Sequence, residues 1–222
     1  MSDPSGAALR ELIAAAGGLG LDITTGQADA LLEHLVLLQR WNATYNLTAV
    51  RDPAAMLRQH LVDCLAMVPA LKRHFATHPQ ARRLLDAGSG GGLPGVVLAV
   101  MLPELDVTCA DAVGKKVAFV RQVAGTLSLP NLQAVHGRVE ALKLAPFDII
   151  TSRAFASLAD FARWTEARLA PGGVWVAMKG ATPNDELQAL PTTVEVFHVE
   201  PLRVPGLDAQ RCLVWMRRAA SA

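Results

Sequence analysis

Between Gly88 and Gly95 five of eight residues are glycine, in the string Gly88-Ser89-Gly90-Gly91-Gly92-Leu93-Pro94-Gly95. Glycine takes up left-handed backbone angles without steric cost and lets a bound molecule lie against the main chain. The string follows the apolar run Leu84-Leu85 with its closing acid Asp86, and precedes a second apolar run from Val96 to Val100. That order reads as strand, tight turn and helix, with Pro94 opening the helix. Gly90, Gly92 and Gly95 also fit the spacing of a dinucleotide-binding turn, in which a pyrophosphate rests on the helix N-terminus. Asp86 argues against that ligand, because a carboxylate just ahead of the glycines repels pyrophosphate.

The same carboxylate suits a ligand carrying an amino group and a sulfonium, which is the chemistry of S-adenosylmethionine. Gly88 and Gly90 would then face the cofactor through their backbone. A second acid is expected where the next strand ends, since a carboxylate accepts both ribose hydroxyls. Asp111 closes Leu105-Asp-Val-Thr-Cys-Ala-Asp111, 25 residues after Asp86 and near the roughly 20-residue spacing of such an acid. After the third strand, Val139 and Glu140 stand where a loop can meet the adenine. Glu140 taken alone fits a helix-start acid equally well.

The elements that must position these residues fall into two groups. Residues 1–80 read as a helical extension. Thr24 and Gln27 can form a capping box ahead of Leu31, Leu35 and Leu38, and Asp52-Pro53 starts a second helix with one stripe through Leu57, Leu61, Cys64, Leu65 and Val68. Residues 81–222 alternate short β-rich runs with helical ones, the pattern of a parallel sheet covered by helices. Strands are expected at residues 84–86, 106–110, 132–135, 147–151, 174–179, 193–199 and 212–216. Seven strands ending in a hairpin make an α/β fold, the methyltransferase variant of the Rossmann fold.

Composition narrows the class further. The 222 residues are 51% hydrophobic with a formal net charge of +1, so a polyanionic partner would need a local basic patch. Between Arg51 and Arg83 six cations stand against two acids, the strongest local excess. Cys64, Cys109 and Cys212 lie far apart and in no Cys-x-x-Cys pair, which argues against a disulfide framework or a zinc site. No apolar run approaches the roughly 18 residues of a membrane helix, and the start of the chain lacks a signal pattern. The expected setting is the cytoplasm, without membrane or metal.

Taken together, Trp41-Asn42, Asn46-Leu47-Thr48, His60-x-x-Asp63, Gly88-x-Gly90-x-Gly92-x-Pro94-Gly95, Lys115-Lys116 with Phe119, Ser152-Arg153-Ala154-Phe155-Ala156 and Lys179-Gly180 resemble the RsmG/GidB family across nearly the whole chain. The resemblance implies a class I S-adenosylmethionine-dependent methyltransferase acting on N7 of a guanine, position 527 in reference numbering, of bacterial 16S rRNA. In that family loss of activity gives low-level streptomycin resistance. It implies cofactor contacts at Gly88, Leu93, Val139, Glu140 and Arg153, of which Arg153 has no basis in the residue pattern alone. The partner would be 16S rRNA within the small ribosomal subunit or an assembly intermediate, met by a monomer. One departure is Cys64, where the family often has serine after the acid.

The end of the fourth strand, Thr151-Ser152-Arg153-Ala154, lacks the Asn/Asp-Pro-Pro-Tyr box of amine methylation and the cysteine of pyrimidine carbon methylation. Guanine N7 has a free lone pair, so no general base is required and no side chain is assigned a catalytic role. His60 and Asp63, three apart, are read as a structural hydrogen bond. Lys115, Lys116 and Arg121 would flank the cofactor mouth and meet phosphates. Other classes fit less well: a small-molecule or different RNA methyltransferase of the same fold, a nicotinamide oxidoreductase, or a non-enzymatic RNA-binding module. Tyr45, the only tyrosine, has no lysine four residues on, which disfavours the oxidoreductase.

Overall fold

The computed structural model describes residues 4–220. Helix α1 (Pro4–Gly18) leads into α2 (Thr25–Tyr45), whose start carries the expected capping box. Thr24 Oγ1 accepts from the Gln27 amide, and Gln27 Oε1 accepts from the Thr24 amide. Asn46 ends α2 in the left-handed conformation. Asp52 caps α3 (Pro53–Met56), as its position before proline predicts.

The single stripe expected from Leu57 to Val68 is instead divided. A π-helical turn at Leu57–Val62 is followed by α4 (Asp63–Leu65), and the chain restarts at Pro69 in α5 (Val68–Thr77). A π turn adds a residue to the helical ring and rotates the side chains that follow. Leu57, Leu61, Cys64, Leu65 and Val68 are nonetheless all buried.

The sheet contains β1 (Arg83–Ala87), β2 (Asp106–Asp111), β3 (Leu132–His136), β4 (Phe147–Arg153), β5 (Leu169–Lys179), β6 (Val194–Leu202) and β7 (Arg211–Arg218). Its order is β3-β2-β1-β4-β5-β7-β6, parallel except for β7, which pairs antiparallel with both β5 and β6. Each expected strand is present and lengthened by one to five residues at one or both ends, although β6 starts at Val194, one residue later than expected. Helices α6 (Gly95–Met101), α7 (Gly114–Thr126), α8 (Leu158–Thr165) and α9 (Asn184–Gln188) complete the crossovers.

Both faces of the sheet are covered, as parallel strands require. On one face Leu31, Leu38, Leu61 and Leu65 of the N-terminal helices share a core cluster with α6, α7 and the strands. On the other, Phe161 and Ala162 of α8 pack with Trp175 and Val214. Every residue of α6 is buried, so it has no polar face and reads in sequence as a plain apolar run. Trp175 is fully buried with its indole N–H given to Thr165 Oγ1 at 2.8 Å, and Thr165 in turn donates to Phe161 O. This satisfies the one polar atom that a buried indole carries.

Candidate cofactor and acceptor site

The C-terminal ends of the parallel strands converge on two adjoining cavities, which is where open α/β sheets bind their ligands. The first, of about 510 Å³, is lined by the glycine turn from Gly88 to Gly91, by Leu93, Arg153, Lys179 and Arg211, and across from them by Thr48, Gln59, His60 and Asp63. The second, of about 380 Å³, is lined by Asp111, Lys116, Gly137, Arg138, Val139 and Glu140, with Phe155 and Trp164 as an aromatic wall. Gly88 and Ala154 line both, so the two spaces meet at the first glycine of the turn.

The turn's geometry shows why glycine stands at its key positions. Gly88 and Gly90 have φ of 71° and 58°, in the left-handed region that other residues avoid. A Cβ on Gly88 would fall inside the Phe155 ring, whereas a Cβ on Gly90 would meet no atom within 4 Å. The main chain at Gly90 is therefore open to an incoming ligand. That bare backbone between a cavity with an aromatic wall and one bordered by Arg153, Lys179 and Arg211 fits a cofactor with an aromatic base at one end and a charged chain at the other.

Asp111 stands at the end of β2 as expected. Its Oδ2 accepts from the Gly90 amide at 3.0 Å and its Oδ1 from the Val113 amide at 2.8 Å, with Lys116 Nζ 3.8 Å away. A carboxylate has about four acceptor directions, so two remain after these amides are satisfied. The acid thus ties the tip of the glycine turn to β2 while lining the second cavity.

Asp86 does not have the role expected of it. Its carboxyl is wholly buried, with Oδ2 accepting from the Gly95 amide at 2.8 Å and Oδ1 without a partner. It anchors the first turn of α6 from below and offers no surface to a ligand. Burial pushes its pKa up to about 7, against a smaller downward pull from the Gly95 hydrogen bond and Arg153. A carboxyl raised in the folded state favours folding while protonated and loses that advantage as pH rises through its folded value. The stability gain of Asp86→Asn over the native chain should therefore grow between about pH 4 and pH 7, by on the order of 4 kcal/mol, and level off above. Urea denaturation at pH 4.5, 6 and 8 measures it, and a pH-independent difference would mean that Asp86 is ionised throughout.

Arg153 closes β4 and reaches across to the helical side. Its Nη1 donates to Gln59 O at 2.7 Å and to Asp63 Oδ2 at 3.1 Å. Asp63, 2% exposed, accepts on its other oxygen from Arg211 Nε at 2.7 Å. The hydrogen bond expected between His60 and Asp63 is absent. His60 Nε2 lies 3.0 Å from Thr48 Oγ1, and burial together with the Arg153 charge lowers its pKa, leaving it neutral. The π turn accounts for this, since it carries Gln59 and His60 into the cavity wall and delivers Asp63 to the two arginines.

Sequence reasoning missed the link between Asp63 and Arg211, 148 residues apart. Lys179, noted only beside Gly180, ion-pairs with Glu186 at 2.8 Å. Lys115 and Lys116 lie in the first turn of α7, where Lys116 lines the second cavity and Lys115 does not. Arg121 does not join them, because its Nε is pinned to Ala134 O on β3. The Arg51–Arg83 segment is not one patch either. Arg58 pairs with Glu11, Arg73 with Glu200, and Arg83 begins β1 at the edge opposite the cavities. Cys64 is buried with its thiol pushed up to about 12 mainly by burial, an inert packing residue.

The profile of the family described as GidB, rRNA small subunit methyltransferase G, matches residues 27–214. The chain belongs to the GidB family. It is 57% identical over 219 residues to the ribosomal RNA small subunit methyltransferase G of Acidovorax sp. (strain JS42), covering 96% of this chain and 95% of that one. The protein of the same name from Methylibium petroleiphilum is 59% identical over 203 residues, 91% of each chain. Among solved structures, TrmN from Thermus thermophilus has a TM-score of 0.54 at 19% identity, over 73% of this chain and 53% of that one. A ribosomal protein L11 methylase from Lactobacillus delbrueckii subsp. bulgaricus has 0.55 at 12% identity, over 70% and 78%. Those two likenesses establish the class I methyltransferase fold. This GidB-family chain is a methyltransferase.

Proposed function

We propose that the chain transfers a methyl group from S-adenosylmethionine to N7 of a guanine in bacterial 16S rRNA, the guanine named by the family resemblance. The observation that carries this reading is the junction at Gly88 of two cavities, one walled by Phe155 and Trp164 and the other by Arg153, Lys179 and Arg211. The second cavity suits adenosine. Val139, Phe155 and Trp164 offer apolar faces to the base, Glu140 stands at its rim, and the open acceptor directions of Asp111 take the ribose hydroxyls. Gly88, Gly90 and Leu93 place the amino-acid part on bare backbone, and Arg153 supplies the counter-charge for its carboxylate.

The first cavity then receives the acceptor. S-adenosylmethionine would supply a sulfonium methyl, whose carbon a neutral nitrogen lone pair can take with the thioether as leaving group and without prior loss of a proton. The cavity suits such an acceptor, because its acid and its imidazole are both committed: Asp63 to two arginines, His60 to Thr48. What the residues contribute is alignment, worth up to about 7–11 kcal/mol in well-oriented reactions. The substrate named for the relatives, small-subunit rRNA, supports the choice of acceptor. On this reading the protein works as a monomer in the cytoplasm on the small subunit or its assembly intermediate. Among the described residues no helix is long and apolar enough to cross a membrane.

Labelled methyl transfer to small subunits, large subunits and naked 16S rRNA from a strain lacking the gene tests the proposal. Label confined to the small-subunit RNA supports it. Tight cofactor binding with no label in any RNA would contradict it and favour a small-molecule acceptor. Lys115 and Lys116 are expected to meet phosphates beside the mouth. Changing both to glutamate should weaken small-subunit binding and lower the slope of log affinity against log salt by roughly two. An unchanged slope would remove them from the interface.

A further inference from the structure

Three neighbouring strands each bring a cation to the edge that faces the first cavity. Arg153 closes β4, Lys179 closes β5, and Arg211 opens β7, which runs the other way and so begins at the same edge. Strands lie roughly 4.8 Å apart, so the backbone of Arg153 is one step from the strand that carries the glycine turn and that of Arg211 three steps, about 14 Å, while both side chains reach inward to the same carboxylate, Arg153 on Asp63 Oδ2 and Arg211 on Oδ1. Lys179 is neutralised locally by Glu186 and also donates to Ala156 O. Arg153 and Arg211 share the single carboxylate of Asp63, so with Arg153 turned to the cofactor carboxylate, Asp63 and Arg211 form a pair in which Arg211 keeps donors to spare.

The Arg211 fork is held but not used up. Asp63 takes its Nε–H and Gln210 O takes one Nη1–H, while its Nη2 makes no hydrogen bond to the described residues. Two oxygens of one buried acid fix both guanidinium planes, so Arg211 presents its free edge in a set direction. A planar guanidinium fork with unused donors recognises an oxyanion. The cofactor carboxylate is one such anion, but against the glycine turn it lies on the Arg153 side of Asp63, whereas Arg211 holds the other oxygen of that acid from the β7 side.

We infer that Arg211, held in place by Asp63, binds a backbone phosphate of the acceptor RNA beside the target guanine, while Arg153 on the same acid serves the cofactor. This rests on the acceptor reading of the first cavity given above. Asp63 thereby sets the distance between the two anions and seats the acceptor nucleotide relative to the cofactor. It acts as a positioning residue, since it touches neither ligand.

The test compares Arg211→Gln, Arg211→Lys and Arg153→Gln in the full chain. Binding of small subunits is measured across a salt series, and binding of S-adenosylhomocysteine by calorimetry. Arg211→Gln should weaken small-subunit binding tenfold or more and lower its salt slope by about one, with the S-adenosylhomocysteine constant within twofold of the native value. Arg211→Lys should keep the native slope and bind with intermediate affinity, because the charge stays and the fork is lost. It also serves as the folded variant should the glutamine form prove unstable. Arg153→Gln should show the reverse pattern, with cofactor-product binding the more affected. Equal weakening of both ligands by Arg211→Gln would assign Arg211 to the cofactor instead, and no change in either would leave it a structural residue. A native chain that binds small subunits tightly but methylates no RNA would overturn the acceptor reading itself, a result separable from any Arg211 effect.

Discussion

Replacing Asp63 by alanine should destabilise the folded chain by about 3–5 kcal/mol, because it strands two largely buried guanidinium groups. Arg153 and Arg211 have side chains only 20% and 24% exposed, so water compensates them poorly. At the roughly 2–4 °C per kcal/mol usual for chains of this size, the melting temperature should fall by on the order of 10 °C. The same change also frees the two cations to repel each other across the cavity. Asp63→Asn keeps the shape and one acceptor and should lie between the native chain and the alanine form. Chemical denaturation provides the measurement. A loss below about 1 kcal/mol would mean that solvent reaches the arginines and compensates them without the Asp63 charge.

Asp111→Ala should weaken binding of S-adenosylmethionine about a hundredfold or more. Hydrogen bonds to a charged acceptor contribute roughly 1.5–3 kcal/mol each, and the ribose is expected to make two. The change also leaves the Gly90 and Val113 amides without their acceptor, so the tip of the glycine turn loses its tie to β2. Asp111→Asn separates the two causes, since one amide oxygen can still accept from the turn while the bidentate grip is lost. Titration calorimetry with S-adenosylhomocysteine reads both. Native affinity in the alanine form would show that the ribose acid lies elsewhere.

What could be read in the chain before its structure follows the range of the interactions involved. The capping box at Thr24 and Gln27 acts over three residues and was legible. So were the strand ends that carry Asp111 and Arg153, because a parallel sheet puts its functional residues at one edge and the apolar runs mark where each strand stops. The placement of Asp86 was misread for a related reason. Spacing located it at the end of β1, but only packing shows that its carboxyl turns inward beneath α6 and not out toward a ligand.

Longer-range features had no sequence signal. Arg211 opens the last strand as one charged residue among several, and only the fold brings it to Asp63. The π turn that aims Gln59 and His60 at the cavity occupies a stretch whose apolar spacing reads as ordinary helix. Charge summed between Arg51 and Arg83 does not see where the fold sends each cation: Arg58 and Arg73 end in separate ion pairs, and Arg83 bonds the Pro146 carbonyl at the edge opposite the cavities. Phe155 was noted as part of a motif, yet its contact with Gly88 explains why the first glycine admits no side chain.

The central claim is tested most directly by mapping 16S rRNA from a strain that lacks this gene, complemented with the native chain or with Asp111→Ala. Nuclease fragments analysed by mass spectrometry, with chemical cleavage at N7-methylguanine, locate the modification. One N7-methylguanine should be restored by the native chain and be missing both without it and with Asp111→Ala. An unmodified 16S rRNA in the presence of the native chain, or a methyl on another atom or another RNA, would contradict it.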